Sequence, residues 1–186
     1  MTRCWPCIVV ALLCCLLAPV VGGCAPAISQ RYYPSAKNAM ALRGIAALRP
    51  QGLVVGKFEG GPESVTCRLA AISPPDRQSF AEFIRGAFSD ELSLAGLAAD
   101  KSGLELRGTI KSLDVDCSTF GTGMWTIAFE YSVGGHPPVL VKADYEFEGA
   151  FAGATVFNNA QQALVPAVQD LIRQIVTSTE FQAAVR

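Results

Sequence analysis

The chain has 186 residues, with 15 Lys and Arg, 16 Asp and Glu, one His and a formal net charge of −1. Such a balance lacks the basic excess that nucleic-acid binding requires. A hydrophobic content of 51% is inflated by the apolar first residues, so it does not describe a protein built of membrane spans. Outside that leader no segment has about 20 consecutive apolar residues.

The leader has three parts. Arg3 gives a positive start, Ile8 to Val21 is an apolar run interrupted at Pro19, and Val21-Gly22-Gly23-Cys24 closes it with small residues before a cysteine. This is the layout of an export signal ending in a lipoprotein cleavage site. We expect residues 1–23 to be removed and Cys24 to be acylated as the first residue of the mature chain. The remaining chain is large enough to bury the core of one domain.

Cys4, Cys7, Cys14 and Cys15 leave with the leader and Cys24 takes the lipid. Cys67 and Cys117 remain, a pair in an oxidising compartment. A disulfide between them would close a loop of about 50 residues and stabilise the fold by about 4 kcal/mol on the chain-entropy argument. Two buried thiols or a redox site are the alternatives. The mature chain has no CxxC, and neither cysteine has a sequence-adjacent His or Lys to lower its pKa.

Residues 24–51 read as the lipidated cysteine and a tether. Within it, Ala36 to Leu48 has the length of a short helix between Ser35 and Pro50. Tyr32 and Tyr33 either pack back on the domain or contact headgroups. Leu53 to Glu59 predicts a strand ended by Gly60-Gly61-Pro62. A loop carrying Cys67 follows and closes at Pro74-Pro75. The next helix starts at about Asp76 or Ser79 and ends near Leu97. Ser79 and Glu82 have capping-box spacing, and Phe80, Phe83, Ile84, Ala87, Phe88, Leu92 and Ala95 share one face.

Leu104, Leu106, Gly108 and Ile110 alternate with Glu105, Arg107, Thr109 and Lys111. The phase then slips to Leu113, Val115 and Cys117, which predicts a β-bulge near Lys111-Ser112. Trp125, Ile127, Phe129, Tyr131 and Val133 define one face of a third strand. Gly134 to Pro138 turns the chain into a fourth, with Val139, Val141, Ala143, Tyr145 and Phe147 on one face. A last helix is expected from Asn158 or Asn159, with Leu164, Val168, Leu171, Ile172 and Ile175 as its stripe. Pro166 requires either a start near Val165 or a kink.

The expected fold is α+β: a two-layer sandwich in the order β-α-β-β-β-α. A mainly antiparallel four-stranded sheet carries two helices on one face. The helix between the first two strands is long enough for a crossover, which makes those strands parallel and brings Cys67 and Cys117 to one end of the sheet. The domain is expected over 52–178, with 179–186 as a C-terminal tail.

No catalytic constellation emerges. His136 stands alone in a turn, and GxSxG, Gly-Lys-Ser/Thr and HExxH motifs are missing from the sequence. Gly121-Thr122-Gly123 leads into a strand rather than a helix, so it does not form a phosphate cradle. Asp144, Glu146 and Glu148 share a face, as do Asp114 and Asp116. They suit either the solvated side of a one-faced sheet or the footprint of a partner. No metal or other cofactor is expected.

The lipobox, Val54-Val55-Gly56-Lys57, the Phe80-to-Leu97 helix, the Leu104-to-Leu113 and Trp125-to-Tyr131 strands and Ala167-Val168-Gln169-Asp170-Leu171-Ile172 together resemble small proteobacterial lipoproteins of the YajG type. The resemblance spans most of residues 52–178 and transfers no active-site residue. It implies a membrane-attached periplasmic domain, and Ala25 after the lipidated cysteine favours the outer membrane. The expected function is a non-enzymatic binding or scaffolding lipoprotein with an envelope protein as partner. The alternative is an accessory lipoprotein of an envelope transport system. It would carry lipid or hydrophobic cargo in a cavity among Phe80, Phe83, Phe88, Trp125, Phe129 and Tyr145.

Overall fold

A computed structural model describes residues 31–100, 102–118 and 121–186. The leader and Cys24 lie outside the described residues. The chain forms helix α1 (Ala36–Gly44), strand β1 (Leu53–Gly60), a small hairpin of β2 (Val65–Cys67) and β3 (Ala70–Ile72), and helix α2 (Phe80–Ala95). Strands β4 (Leu104–Asp116), β5 (Thr122–Val133) and β6 (Val139–Glu148) follow, then helices α3 (Gly153–Thr177) and α4 (Thr179–Ala184).

One sheet has the order β1-β4-β5-β6, with β1 parallel to β4 and the other pairs antiparallel. The expected β-α-β-β-β-α order survives as a frame, to which the structure adds α1, the β2–β3 hairpin and α4. The sheet is therefore mixed, and the helices number four among the described residues. The bulge falls where the phase slip predicts it: the β4–β5 register shifts between Ile110 and Ser112. A second irregularity, between Val55 and Phe58 against β4, has no comparable signature in the sequence.

Local chemistry accounts for the best-defined helix. Ser79 and Glu82 make a reciprocal capping box at the start of α2, and Gly96 ends it in the left-handed conformation at φ 72°. The face of α2 predicted to be apolar is buried, together with one charged residue, Glu91. Trp125, Ile127, Phe129, Tyr131 and Val133 project from β5 into the same core, which α2 and α3 cover from one side.

Three boundaries differ from expectation. The segment assigned to a tether over 24–51 is part of the body from Arg31 onward. Asn38, Ala39 and Leu42 of α1 are buried, and α1 packs on α2 and α3. Its irregular apolar spacing reflects a short helix that buries a polar side chain as well. The tail expected over 179–186 is instead α4, capped by Ser178 and docked through the fully buried Phe181 and Val185. Finally, α3 begins at Gly153 rather than at Asn158 or Asn159 and runs through Pro166. Val156 and Ala160 are fully buried, so tertiary packing supports a first turn that propensity alone does not. No helix among the described residues is long and apolar enough to cross a membrane.

Candidate functional site

The ends of β1, β4 and β6 and the starts of β5, α2 and α3 lie together at one end of the sheet, as their pairing and chain order require. The β2–β3 hairpin is fastened there. Cys67 and Cys117 form a disulfide, with their Cα atoms 5.4 Å apart, and both residues are buried. The alternative of two free thiols is thereby set aside.

Beside the disulfide, Arg68 occupies the hairpin turn at φ 56°, a backbone region unfavourable to a side chain with a Cβ. Its guanidinium compensates locally. Nε donates to the Cys117 carbonyl at 3.1 Å, Nη1 to Phe151 O at 2.7 Å and Nη2 to Ala150 O at 2.9 Å. One side chain thus ties the hairpin to the end of β4 and to the β6–α3 connection. Gly149 N–H also donates to Gly121 O at 3.0 Å, closing the adjacent loops on each other. Two large apolar residues stand outward from this end: Leu69 is 103% exposed and Phe151 81%.

The predicted acidic face is real and is shared by two strands. Asp144, Glu146 and Glu148 are exposed on the helix-free side of β6, with Asp114 and Asp116 on the same side of β4. The register aligns Asp114, Thr126 and Asp144 in one row and Asp116, Met124 and Glu146 in the next. Thr126 Oγ1 donates to Asp144 at 2.7 Å and Lys142 Nζ at 3.1 Å, and these bonds hold the Asp144 carboxyl below its ordinary value. Asp116 accepts from Ser118 N–H and Oγ, and Asp114 from Val115 N–H. The three aspartates are thus locally bonded. Among the described residues no group of three or more His, Cys, Asp or Glu is placed to hold a metal ion.

Further along the same face a cleft of about 420 Å³ is lined by Lys57, Glu59, Glu105, Arg107, Thr109 and Glu130 among others. Its charges are matched: Lys57 pairs with Glu59 at 2.6 Å, Arg107 with Glu105 at 2.8 Å, and nearby Lys111 with Glu130 at 2.8 Å. Strand β6 is an edge, since among the described residues only β5 pairs with it. Leu140 on that edge is 61% exposed, and Val139 and Val141 are half-buried.

The space proposed for hydrophobic cargo is occupied by side chains. Phe80, Phe83, Phe88, Trp125 and Phe129 are buried, and Tyr145 is half-buried. Phe58 bridges two of them, with ring centroids 5.2 Å from Phe129 and 5.7 Å from Phe88. Trp125 lies 6.3 Å from Phe80, and its indole N–H donates to Ala160 O at 2.8 Å. His136 is exposed in the β5–β6 turn, remote in the sheet from the disulfide end.

One constellation escaped the sequence reading. Glu91 is fully buried, and its Oε1 accepts from Tyr32 Oη at 2.6 Å, Ser35 N–H at 2.8 Å and Asn38 Nδ2 at 3.1 Å. Asn38 Nδ2 also donates to Gln169 O at 2.9 Å, and Gln169 Nε2 to Tyr33 O at 2.8 Å. Burial, then the hydrogen bond to Glu91, pushes the Tyr32 hydroxyl pKa far upward. The available signal was a carboxylate within the apolar stripe of a helix, three residues after Phe88 and four before Ala95.

No protein-family model matches the chain, and no curated protein matches it. Among solved structures it is similar to protein XCC0632 from Xanthomonas campestris, described under DUF330. Identity is 12%, over 72% of this chain and 88% of that one, with a TM-score of 0.49. It is also similar to a protein described as uncharacterized, at 13% identity over 67% of this chain and 92% of that one, with a TM-score of 0.40.

Proposed function

We propose that the protein is a lipid-anchored periplasmic domain, held in the outer membrane through Cys24, that binds or scaffolds another envelope component without catalysis. The observation that carries this reading is the free edge of β6, ten residues long and bearing the exposed Leu140. An open strand offers a row of backbone donors and acceptors to an added strand, and alternate side chains give such pairing its specificity. The acids of β6 lie on the helix-free side of that edge, where they discourage indiscriminate pairing while leaving a charged partner a complementary surface. The competing carrier reading needs room between sheet and helices, and the buried aromatics fill that space.

The test is site-specific photocrosslinking in intact cells, with a photoreactive residue at Leu140 of the full chain and a control at the exposed Met40 on α1. A discrete adduct from position 140, lost when Lys142→Pro removes an amide that faces away from β5 and so blocks strand addition, supports the proposal. Equal labelling from both positions, or none from 140, counts against it. Native mass spectrometry of the same protein addresses the carrier: a retained lipid-sized mass would favour it.

A further inference from the structure

The disulfide end of the sheet carries a feature that neither stability nor strand pairing requires. Leu69 and Phe151 are the two most exposed large hydrophobic residues among those described, at 103% and 81%. They come from segments far apart in sequence, yet Arg68 joins them, being the chain neighbour of Leu69 and donating to the Phe151 and Ala150 carbonyls. The disulfide then fixes the hairpin that presents Leu69 to the end of β4. Two apolar side chains held out on a cross-linked support are costly to leave in water, where each forgoes the burial a core position would give.

The path of the N-terminal segment identifies what covers them. Arg31 lies 3.5 Å from Asp76, in the turn that leads into α2, and the Tyr32 ring meets Phe83 in the first turn of the same helix. Ser35 then reaches Glu91, so residues 31–35 run along α2 from its start toward its end. The Glu91 clasp fixes this course. Arg31, the first described residue, therefore lies at the end of the sheet that carries Leu69 and Phe151. Six residues lie between Cys24 and Arg31, so the seven steps reach at most about 25 Å when extended.

We infer that Leu69 and Phe151 form a membrane-seating tip, which inserts into the headgroup and acyl boundary of the leaflet holding the Cys24 lipid and sets the domain upright on it. This rests on the reading of Cys24 as the anchor. The contact is apolar rather than electrostatic: the Arg68 guanidinium is committed to three carbonyls, and the nearby Glu148 is acidic. A phosphate-rich surface would repel such a rim, so seating draws on insertion and is insensitive to salt. It also orients the domain, leaving the β6 edge running away from the bilayer where a partner can reach it.

The experiment uses the full-length lipoprotein purified from membranes and reconstituted in phosphatidylcholine vesicles whose lipids are brominated near the headgroup end of the acyl chain. Leu69→Trp and Phe151→Trp are compared with Leu94→Trp, an exposed site in the last turn of α2 at the far end of the domain. Each is read as the difference from the parent, whose Trp125 is buried. The expected result is bromine quenching and a blue-shifted emission for the first two variants, unchanged by salt, with neither for Leu94→Trp. Equal or no quenching in all three overturns the tip. Intact mass read on the same samples separates the two readings: acylated protein without quenching rejects the tip alone, whereas unacylated protein rejects the anchor and the tip with it.

Discussion

Tyr32 donates its hydroxyl to the buried carboxyl of Glu91 at 2.6 Å, fastening the segment ahead of α1 to the middle of α2. Glu91 has no cationic partner in its hydrogen-bond set. Its Oε1 takes three donors, while Oε2 is buried with no hydrogen-bond partner among the described residues. Replacing Glu91 by Ala strands the Tyr32 hydroxyl, the Ser35 amide and the Asn38 amide, and should cost about 3 kcal/mol in urea unfolding. Tyr32→Phe should cost about 1 kcal/mol. The tyrosine also gives the clasp a pH dependence. Its folded pKa is raised, by burial first, so its contribution is complete below the ordinary value of 10.0 and is lost as pH rises beyond it. Stability should decline more steeply above that pH in the parent than in Tyr32→Phe.

The Cys67–Cys117 bond closes a loop of sequence separation 50, for which chain entropy predicts about 4 kcal/mol of stabilisation. Reduction, or the double substitution Cys67→Ser with Cys117→Ser, should lower the urea midpoint accordingly. Hydrogen exchange should rise first in the β2–β3 hairpin. Protection lost evenly across the sheet instead would mean that the Arg68 hydrogen bonds still hold the hairpin once the bond is gone.

Much of this architecture was legible because the relevant signals are local and periodic. The capping box at Ser79 and Glu82, the slip at Lys111-Ser112 and the alternation from Trp125 to Val133 each follow from spacing alone. What was illegible depends on contacts distant in sequence. Asn38 reads as a poor helix residue until Glu91 and Gln169 are brought to it. The hairpin turn at Arg68 lacks the Gly or Asn that normally marks such a turn, because a fork of three carbonyls supports the arginine there. The acidic face was read correctly as a surface, yet its two strands are brought into register only through β5.

Gly108 illustrates a further constraint within a strand. A Cβ added there would lie 2.1 Å from Cζ of Phe129, whose ring covers the glycine across the β4–β5 pair. Gly108→Ala should therefore force the ring aside and cost about 2 kcal/mol. Phe129→Leu on its own opens a void. Combined with Gly108→Ala it should recover part of the loss, so a double-mutant cycle by thermal unfolding should show a coupling of about 1 kcal/mol. Additive effects would show that the overlap is relieved by backbone movement instead.

Helix α4 turns an apparent tail into part of the core. Phe181 is fully buried, its ring centroid 6.0 Å from that of Tyr131, and the Tyr131 hydroxyl lies 3.0 Å from Ser178 Oγ, the cap of α4. The Ser178 hydroxyl thus serves both the helix start and the buried tyrosine. Phe181→Ala should cost about 3 to 5 kcal/mol, the range for emptying a buried aromatic site. Ending the chain after Thr177 should cost at least as much, since it removes Ser178, Phe181 and Val185 together. Sedimentation and urea unfolding of the two variants would check this. Unchanged midpoints in both variants would instead show that α4 is a dispensable tail, contrary to the burial of Phe181 and Val185.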